Sequence, residues 1–322
     1  MINVTTAMRS RESRANLMLL AKFLRPEQLS ELGSYWDEAL GESRLGVVNR
    51  LIDQGLIIPA PLEVKLDLKI KVPDLKSMLK KQGIKQTGRK AELLARLIEN
   101  DFASLQKMVG RWRIYQCSDV GRTLALEFET ALEAERNQAE SDVLELLTEG
   151  DYRSASLRMA SFEAKQVFKR GLDSRGLEFD WENYDPEIDV IMLECIFSGW
   201  PAILNTVTHD LRDALRLGAA MMELFGARTA MQWFEEVPKT NSHLDPDTVI
   251  RMICFYGRHQ QEMQEYKRMG VRCVTIIGGE DEESCPHCAA ISGKKFPLGK
   301  APELPLPTCT SECGCCCIAS VC

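Results

Sequence analysis

Eight cysteines crowd the C-terminal end of the chain, between Cys285 and Cys322, and they restrict its folding more than any other feature. Their spacing is Cys285-x2-Cys288-x20-Cys309, followed by Cys313, Cys315, Cys316 and Cys317. A C-x2-C turn sets two thiolates on one side of a tight knuckle, and two more from a second turn complete a tetrahedral site. The N-terminus has charges on both sides of a short apolar run and no cleavage site of small residues, so it does not read as a signal peptide. Without an export signal, clustered thiols point to metal before disulfides. A closed thiolate set suits Zn2+, and no redox-cluster spacing is matched. The expected ligands are Cys285, Cys288, Cys309 and Cys315, with Cys313 and Cys317 as alternates. Cys316 falls outside that set and Cys322 reads as a free thiol. His287, inside the knuckle, is expected to face solvent. Cys117, Cys195, Cys254 and Cys273 stand in apolar sequence and read as small core residues.

The same region cannot form long helices, because Pro297, Pro302, Pro305 and Pro307 interrupt it. Tyr266 to Met269 should close a helix at Gly270, and the β-branched run from Val271 to Ile277 is the best strand candidate. Gly278-Gly279 follows that strand, lacks the Lys-Ser/Thr of a phosphate loop and leads into acidic residues. A small C-terminal zinc-knuckle α+β module over residues 241–322 is therefore expected.

Upstream, the 322 residues read as mainly α, a multi-module helical protein. Residues 1–64 form an N-terminal helical region. Its faces are Leu17, Leu19, Leu20 and Phe23, then a segment opened by Pro26, then Leu45 to Ile58, with Pro59 and Pro61 breaking the chain. Residues 102–240 form a helical middle domain, in which Phe128, Leu132, Ala139, Val143, Leu146 and Leu147 keep helical spacing. Gly150-Asp151 turns the chain into a second helical stretch with Leu157, Phe162 and Phe168. A loop over 174–187 follows, and Leu211 to Phe234 is helical again.

Charge is distributed unevenly. The net is −7, which argues against nucleic-acid binding by the whole surface. Residues 65–100, however, hold ten Lys or Arg against four Asp or Glu, whereas residues 121–160 hold four against nine. The basic stretch is a compact unit over 65–101. Pro73 opens a helix, Gly83 caps it, and Val72, Leu75 and Leu79 make one buried stripe. Thr87 is the expected N-cap of a second helix whose core face is Leu93, Leu94, Leu97 and Ile98. A helix N-terminus presents unpaired N–H groups and the positive end of a dipole, a natural seat for phosphate. Gly88 allows close approach there, and Arg89 and Lys90 add charge. Lys76, Lys80, Lys81 and Lys85 extend the positive surface. Nothing here is rich in the Asn, Gln and Arg of a base-reading helix, so contacts to the backbone of double-stranded DNA, with weak sequence preference, are expected.

The run VPDLKSMLKKQGIKQTGRKAELLARLIEN, residues 72–100, resembles the SAP domain, a helix-extended loop-helix module of scaffold-attachment and related nuclear proteins. The likeness rests on Leu75 and Leu79, the Gly83-Ile84 turn, Thr87-Gly88-Arg89-Lys90, and Leu93, Arg96 and Leu97. It implies DNA binding. The C-terminal SCPHCAAISGKKFPLGKAPELPLP with its closing cysteines resembles the phage Mu minor head protein F family, also called phage head-morphogenesis proteins. With the preceding helix and strand that likeness covers roughly the last quarter of the chain. Pro307-Thr308-Cys309 replaces the family's His-Pro, and Cys316 stands where Arg is common. This resemblance implies a phage or prophage association, capsid or portal partners and a structural metal.

No catalytic constellation is visible. The four histidines, His209, His243, His259 and His287, fit neither a triad nor a metalloprotease spacing. Glu163-Ala-Lys165 matches a nuclease fragment but lies in a helical stretch rather than on a strand. No stretch is apolar for long enough to span a membrane. The expectation is a cytoplasmic, non-enzymatic DNA-binding protein with structural zinc. A phage assembly protein is the alternative, and a nuclease is third.

Overall fold

The structure is a computed structural model that describes Val4, Met8 and residues 10–170, 180–278 and 285–322. Among the described residues it is mainly α, with two small three-stranded sheets. The chain divides into two compact units, Met1–Glu135 with Gln166–Phe168, and Arg136–Lys165 with Lys169–Cys322. The expected middle segment 102–240 contributes to both.

In the first unit, α1 (Arg11–Lys22) begins where the Ser10 hydroxyl accepts the Ser13 amide, and it buries Leu17, Leu19 and Leu20, with Phe23 just beyond. Helices α2 (Tyr35–Leu40) and α3 (Arg44–Asp53) complete its core with Trp36, Val47, Val48 and Leu51. The helix expected to run to Ile58 stops at Asp53, and the chain continues as strand β2 (Ile57–Pro59). That strand pairs antiparallel with β3 (Ile114–Cys117), which also pairs with β1 (Glu27–Gln28). Strand β3 interrupts a region whose periodicity is otherwise helical, because its partners lie far away in sequence. Pro61 is the N-cap of α4 (Leu62–Lys69), so the proline that ends one segment starts the next. Helices α5 (Val72–Lys81) and α6 (Lys90–Val109) follow, and α6 kinks at Asp101. The 31-residue α7 (Asp119–Glu149) begins in this unit and ends in the other.

The second unit starts with the end of α7 and turns at Gly150-Asp151 into α8 (Tyr152–Ala164), where Asp151 caps the Ser154 amide. The helix ends at Ala164, short of Phe168, which is exposed. Helices α9 (Glu187–Ser198), α10 (His209–Phe225) and α11 (Pro246–Arg268) pack around Ile196, Leu215, Val249 and Ile253. Helix α10 stops at Phe225 rather than Phe234, closed by Gly226. Asp245 caps α11 by accepting the Asp247 and Thr248 amides, with Pro246 in the first turn. The expected loop over 174–187 gives way to α9 at Glu187; its residues 174–179 lie outside the described residues, as do Gly279 and the acidic run after it.

The strand candidate forms as β4 (Cys273–Ile277), the centre of a sheet with β5 (Lys295–Pro297) and β6 (Ile318–Val321) on either side. Both pairings are antiparallel, with Val274 opposite Val321 and Cys273 opposite Pro297. The short α12 (Pro286–Ile291) lies between β4 and β5. Two cysteine assignments are corrected here. Cys273 is not a core thiol and Cys322 is not free, because a disulfide joins them. Register explains this: β6 runs back along β4 and delivers the last residue to the start of that strand. Cys117, Cys195 and Cys254 are buried, as read from their apolar surroundings.

His259 on α11 is 5% exposed, and its Nδ1 has no hydrogen-bond partner among the described residues. Burial holds its pKa down at about 4, from an ordinary value of 6.5. The unfolded chain therefore takes up a proton that the folded chain refuses. The stability linked to this residue is complete above about pH 6.5 and is lost as pH falls toward 4, by up to about 3 kcal/mol. Thermal melts of wild type and His259→Gln across this window should show a flatter acid limb in the variant. Parallel limbs would remove His259 as the cause.

Candidate metal centre and nucleic-acid interface

The C-terminal cysteines converge because two turns face each other across the end of the sheet. Cys285 is the N-cap of α12 and Cys288 lies within that helix, so the C-x2-C spacing turns both sulfurs the same way. The second set comes from the segment between β5 and β6. The sulfurs of Cys285, Cys288 and Cys309 lie within 4.8 Å of one another, and so do those of Cys288, Cys315 and Cys317. All five cysteines are buried. The Cys288 and Cys315 sulfurs are 3.9 Å apart. Backbone amides support the sulfurs, Thr310 N–H donating to Cys285 at 3.2 Å and Leu306 N–H to Cys315 at 3.1 Å. Of the two alternates, Cys317 joins the cluster. Cys313 is exposed and lines, with Cys316, Arg251 and Arg258, a cavity of about 880 Å³. His287 is exposed.

Electrostatics fit a cation. Burial pushes the Cys309 thiol up to about 11, while burial and the charge of Cys315 push Cys317 up to about 12. Cys288 is raised further by the same two causes. Cys285 goes the other way: burial opposes ionisation, but the Thr310 hydroxyl and amide and the Cys288 and His287 amides bring it down to about 6. Most of these thiols thus need a positive charge among them to ionise. Sulfur-only groups are the donor set of a thiophilic metal ion, and the cluster could hold one.

The basic hairpin is built by α4, α5 and α6 around Leu66, Leu75, Leu79, Leu93 and Leu97, each fully buried. Helix α5 ends in a Schellman turn: Gly83 takes φ 71°, its N–H donates to Lys80 C=O, and Ile84 N–H donates to Leu79 C=O. The N-cap of α6 is Arg89 rather than Thr87, and no side chain caps it. Thr87 instead gives its carbonyl to Arg96. The Arg96 guanidinium bonds Thr87 C=O at 2.7 Å and Lys85 C=O at 3.0 Å, fastening the loop to the helix it precedes. Gly88 sits at φ 133°, and a Cβ there would stand 2.2 Å from Glu92 Oε2 and 3.0 Å from Arg96 Nη2. The backbone angle is what favours glycine, since both crowding atoms are the ends of flexible side chains that can turn aside.

Residues 69–102 match the family model of the SAP domain. This hairpin is a SAP domain. No curated protein and no solved structure matches the chain. The likeness of the C-terminal segment to phage head-morphogenesis proteins finds no support in these comparisons.

A SAP domain points to nucleic-acid binding, and its basic side chains are not equivalent here. Lys76, Lys80, Lys81, Lys85 and Arg89 are exposed, and none forms an ion pair among the described residues. Gly88 is exposed with them. Lys90 is different: its ammonium bonds the Asp67 carbonyl and pairs with the Asp67 carboxylate at 3.0 Å. Arg96 was legible only as part of the family pattern; its clamp on the loop was not. The nuclease fragment is taken apart by the fold. Glu163 is buried on α8 and pairs with Arg170 at 3.5 Å, while Lys165 lies exposed beyond the helix end. Among the described residues no helix is long and apolar enough to cross a membrane.

Proposed function

We propose that this chain is a non-enzymatic DNA-binding protein, gripping duplex backbone through its SAP domain, with zinc as a structural cofactor at the C-terminus. The observation that carries this reading is the SAP match at 69–102 together with five exposed cations, Lys76, Lys80, Lys81, Lys85 and Arg89, on that hairpin. Gly88 lets a phosphate approach the start of α6, where the first amides have no partner within the helix. Lys90 acts more through its tie to Asp67 than as a free contact. Cys285, Cys288, Cys309, Cys315 and Cys317 are the zinc donors; Cys313 is set aside because it is exposed. Bound Zn2+ supplies a cross-link that a short, proline-rich segment cannot obtain from its own core.

Fluorescence anisotropy with a random-sequence duplex across a salt series tests the reading. The logarithm of the binding constant should fall linearly with the logarithm of salt concentration, with a slope of about −3 to −5 for some four or five phosphate contacts. Absence of binding at low salt would overturn it. The hairpin would then be a protein-docking element, and assembly into a phage or prophage particle, the reading the C-terminal cysteine pattern favours, would lead.

A further inference from the structure

The cluster contains five sulfurs, one more than a tetrahedral zinc takes. The five do not form one group. Cys285, Cys288 and Cys309 make one triangle, Cys288, Cys315 and Cys317 make another, and Cys288 is the shared corner. No four of the described cysteines have their sulfurs all within 4.8 Å of one another. With a zinc–sulfur bond of about 2.3 Å, two donors on one ion can be no more than about 4.6 Å apart. Any choice of four therefore includes a pair wider than that span as the chain is folded, whereas each triangle brings three donors to within 4.8 Å of one another.

We propose that the C-terminal segment holds two thiophilic divalent cations in a dinuclear cluster bridged by the Cys288 thiolate. This rests on the reading of the segment as a metal site and deepens it. Two further observations support the pair. Each triangle has its own backbone donor to sulfur, Thr310 N–H to Cys285 in one and Leu306 N–H to Cys315 in the other, at 3.2 and 3.1 Å. Such outer contacts orient a ligand and soften its charge. Charge is the second. All five cysteines are at most 5% exposed. Four buried thiolates on a single divalent ion leave a net charge of −2 and a fifth buried thiol unused, whereas five thiolates around two ions leave a net charge of −1. Burying the smaller charge costs less. On binding, the five cysteines ligate as thiolates, and each proton still held by a thiol passes to solvent. Six metal–sulfur bonds form, two of them at Cys288, and one position on each ion is left to a non-sulfur donor.

The test is a count of ions per chain. The full-length metal-free protein is loaded with Zn2+, freed of excess by gel filtration and weighed by native mass spectrometry. Wild type and Cys313→Ser should each carry two Zn2+, Cys309→Ser and Cys317→Ser one each, and Cys288→Ser fewer than either. One Zn2+ in the wild type would overturn the dinuclear cluster and leave a single structural ion standing. None would overturn both. Two Zn2+ in the wild type, retained in Cys309→Ser or in Cys317→Ser, would overturn the assignment of the two triangles. The wild-type count decides even where a variant fails to fold.

Discussion

Charge reversal at three exposed cations of the SAP domain, Lys76→Glu, Lys80→Glu and Arg89→Glu, should lower affinity for a random-sequence duplex roughly 10²–10³-fold at about 0.1 M salt. Each phosphate contact contributes about 0.9 to the salt slope, so the slope should shrink by about 2.7. The loss should be similar on duplexes of different sequence, because backbone contacts position the protein without reading bases. Lys90→Ala is the internal comparison. Its ammonium is engaged by Asp67, so removing it should change the salt slope less than Arg89→Ala does. The leucines beneath are untouched, and far-ultraviolet circular dichroism should confirm an intact hairpin. Unchanged binding by the triple variant, with the hairpin folded, would move the DNA site off the SAP domain or remove it.

The other large effect should come from Cys288→Ser. Cys288 belongs to both sulfur groups, so this substitution damages the cluster whichever group holds metal. Apparent binding energies of structural zinc in small domains are about 10–16 kcal/mol, and in such sites binding and folding are one equilibrium. The segment from Cys285 to Cys317 has little regular structure: a six-residue helix, a three-residue strand and a 3-10 turn. The buried cysteines make up much of what it contributes to the core beside Leu304 and Leu306. Cys288→Ser, or treatment of wild type with a strong zinc chelator, should open it to limited proteolysis, with cuts around Gly299 and Ser311. Zn2+ added back should protect the chelated wild type and not the variant. Equal protection in the metal-free wild type would show that the segment folds without a cation.

The hairpin was legible because its signals are local. Apolar residues three and four apart (Val72, Leu75 and Leu79), a proline in the first turn and a glycine at the cap specify α5 without reference to the rest of the chain. The C-x2-C knuckle is local too. What escaped depends on residues distant in sequence. Strand β3 is four residues long and exists because Glu27–Gln28 and Ile57–Pro59 flank it. Thr87 looked like an N-cap, yet Arg96 draws its carbonyl aside and the helix starts two residues later. Lys90 looked like a free cation until α4 brought Asp67 to it. The pairing of Cys273 with Cys322 required knowing that β6 returns along β4. The grouping of Cys317 with Cys288 and Cys315 needed the fold of the connector, which spacing alone left open between two alternates.

That disulfide closes a covalent ring of the chain, its ends 49 residues apart, and every sulfur of the cluster lies inside the ring. In the chain-entropy picture, closing a loop of this length removes about 4 kcal/mol of freedom from the opened state. A metal-stripped segment thus cannot stray far. Its donors stay at high effective concentration, so once one sulfur has taken an ion from solution the closure of the others around it is intramolecular. The ring keeps residues of an opened site within reach of one another, so the site can be rebuilt without a search by the whole chain.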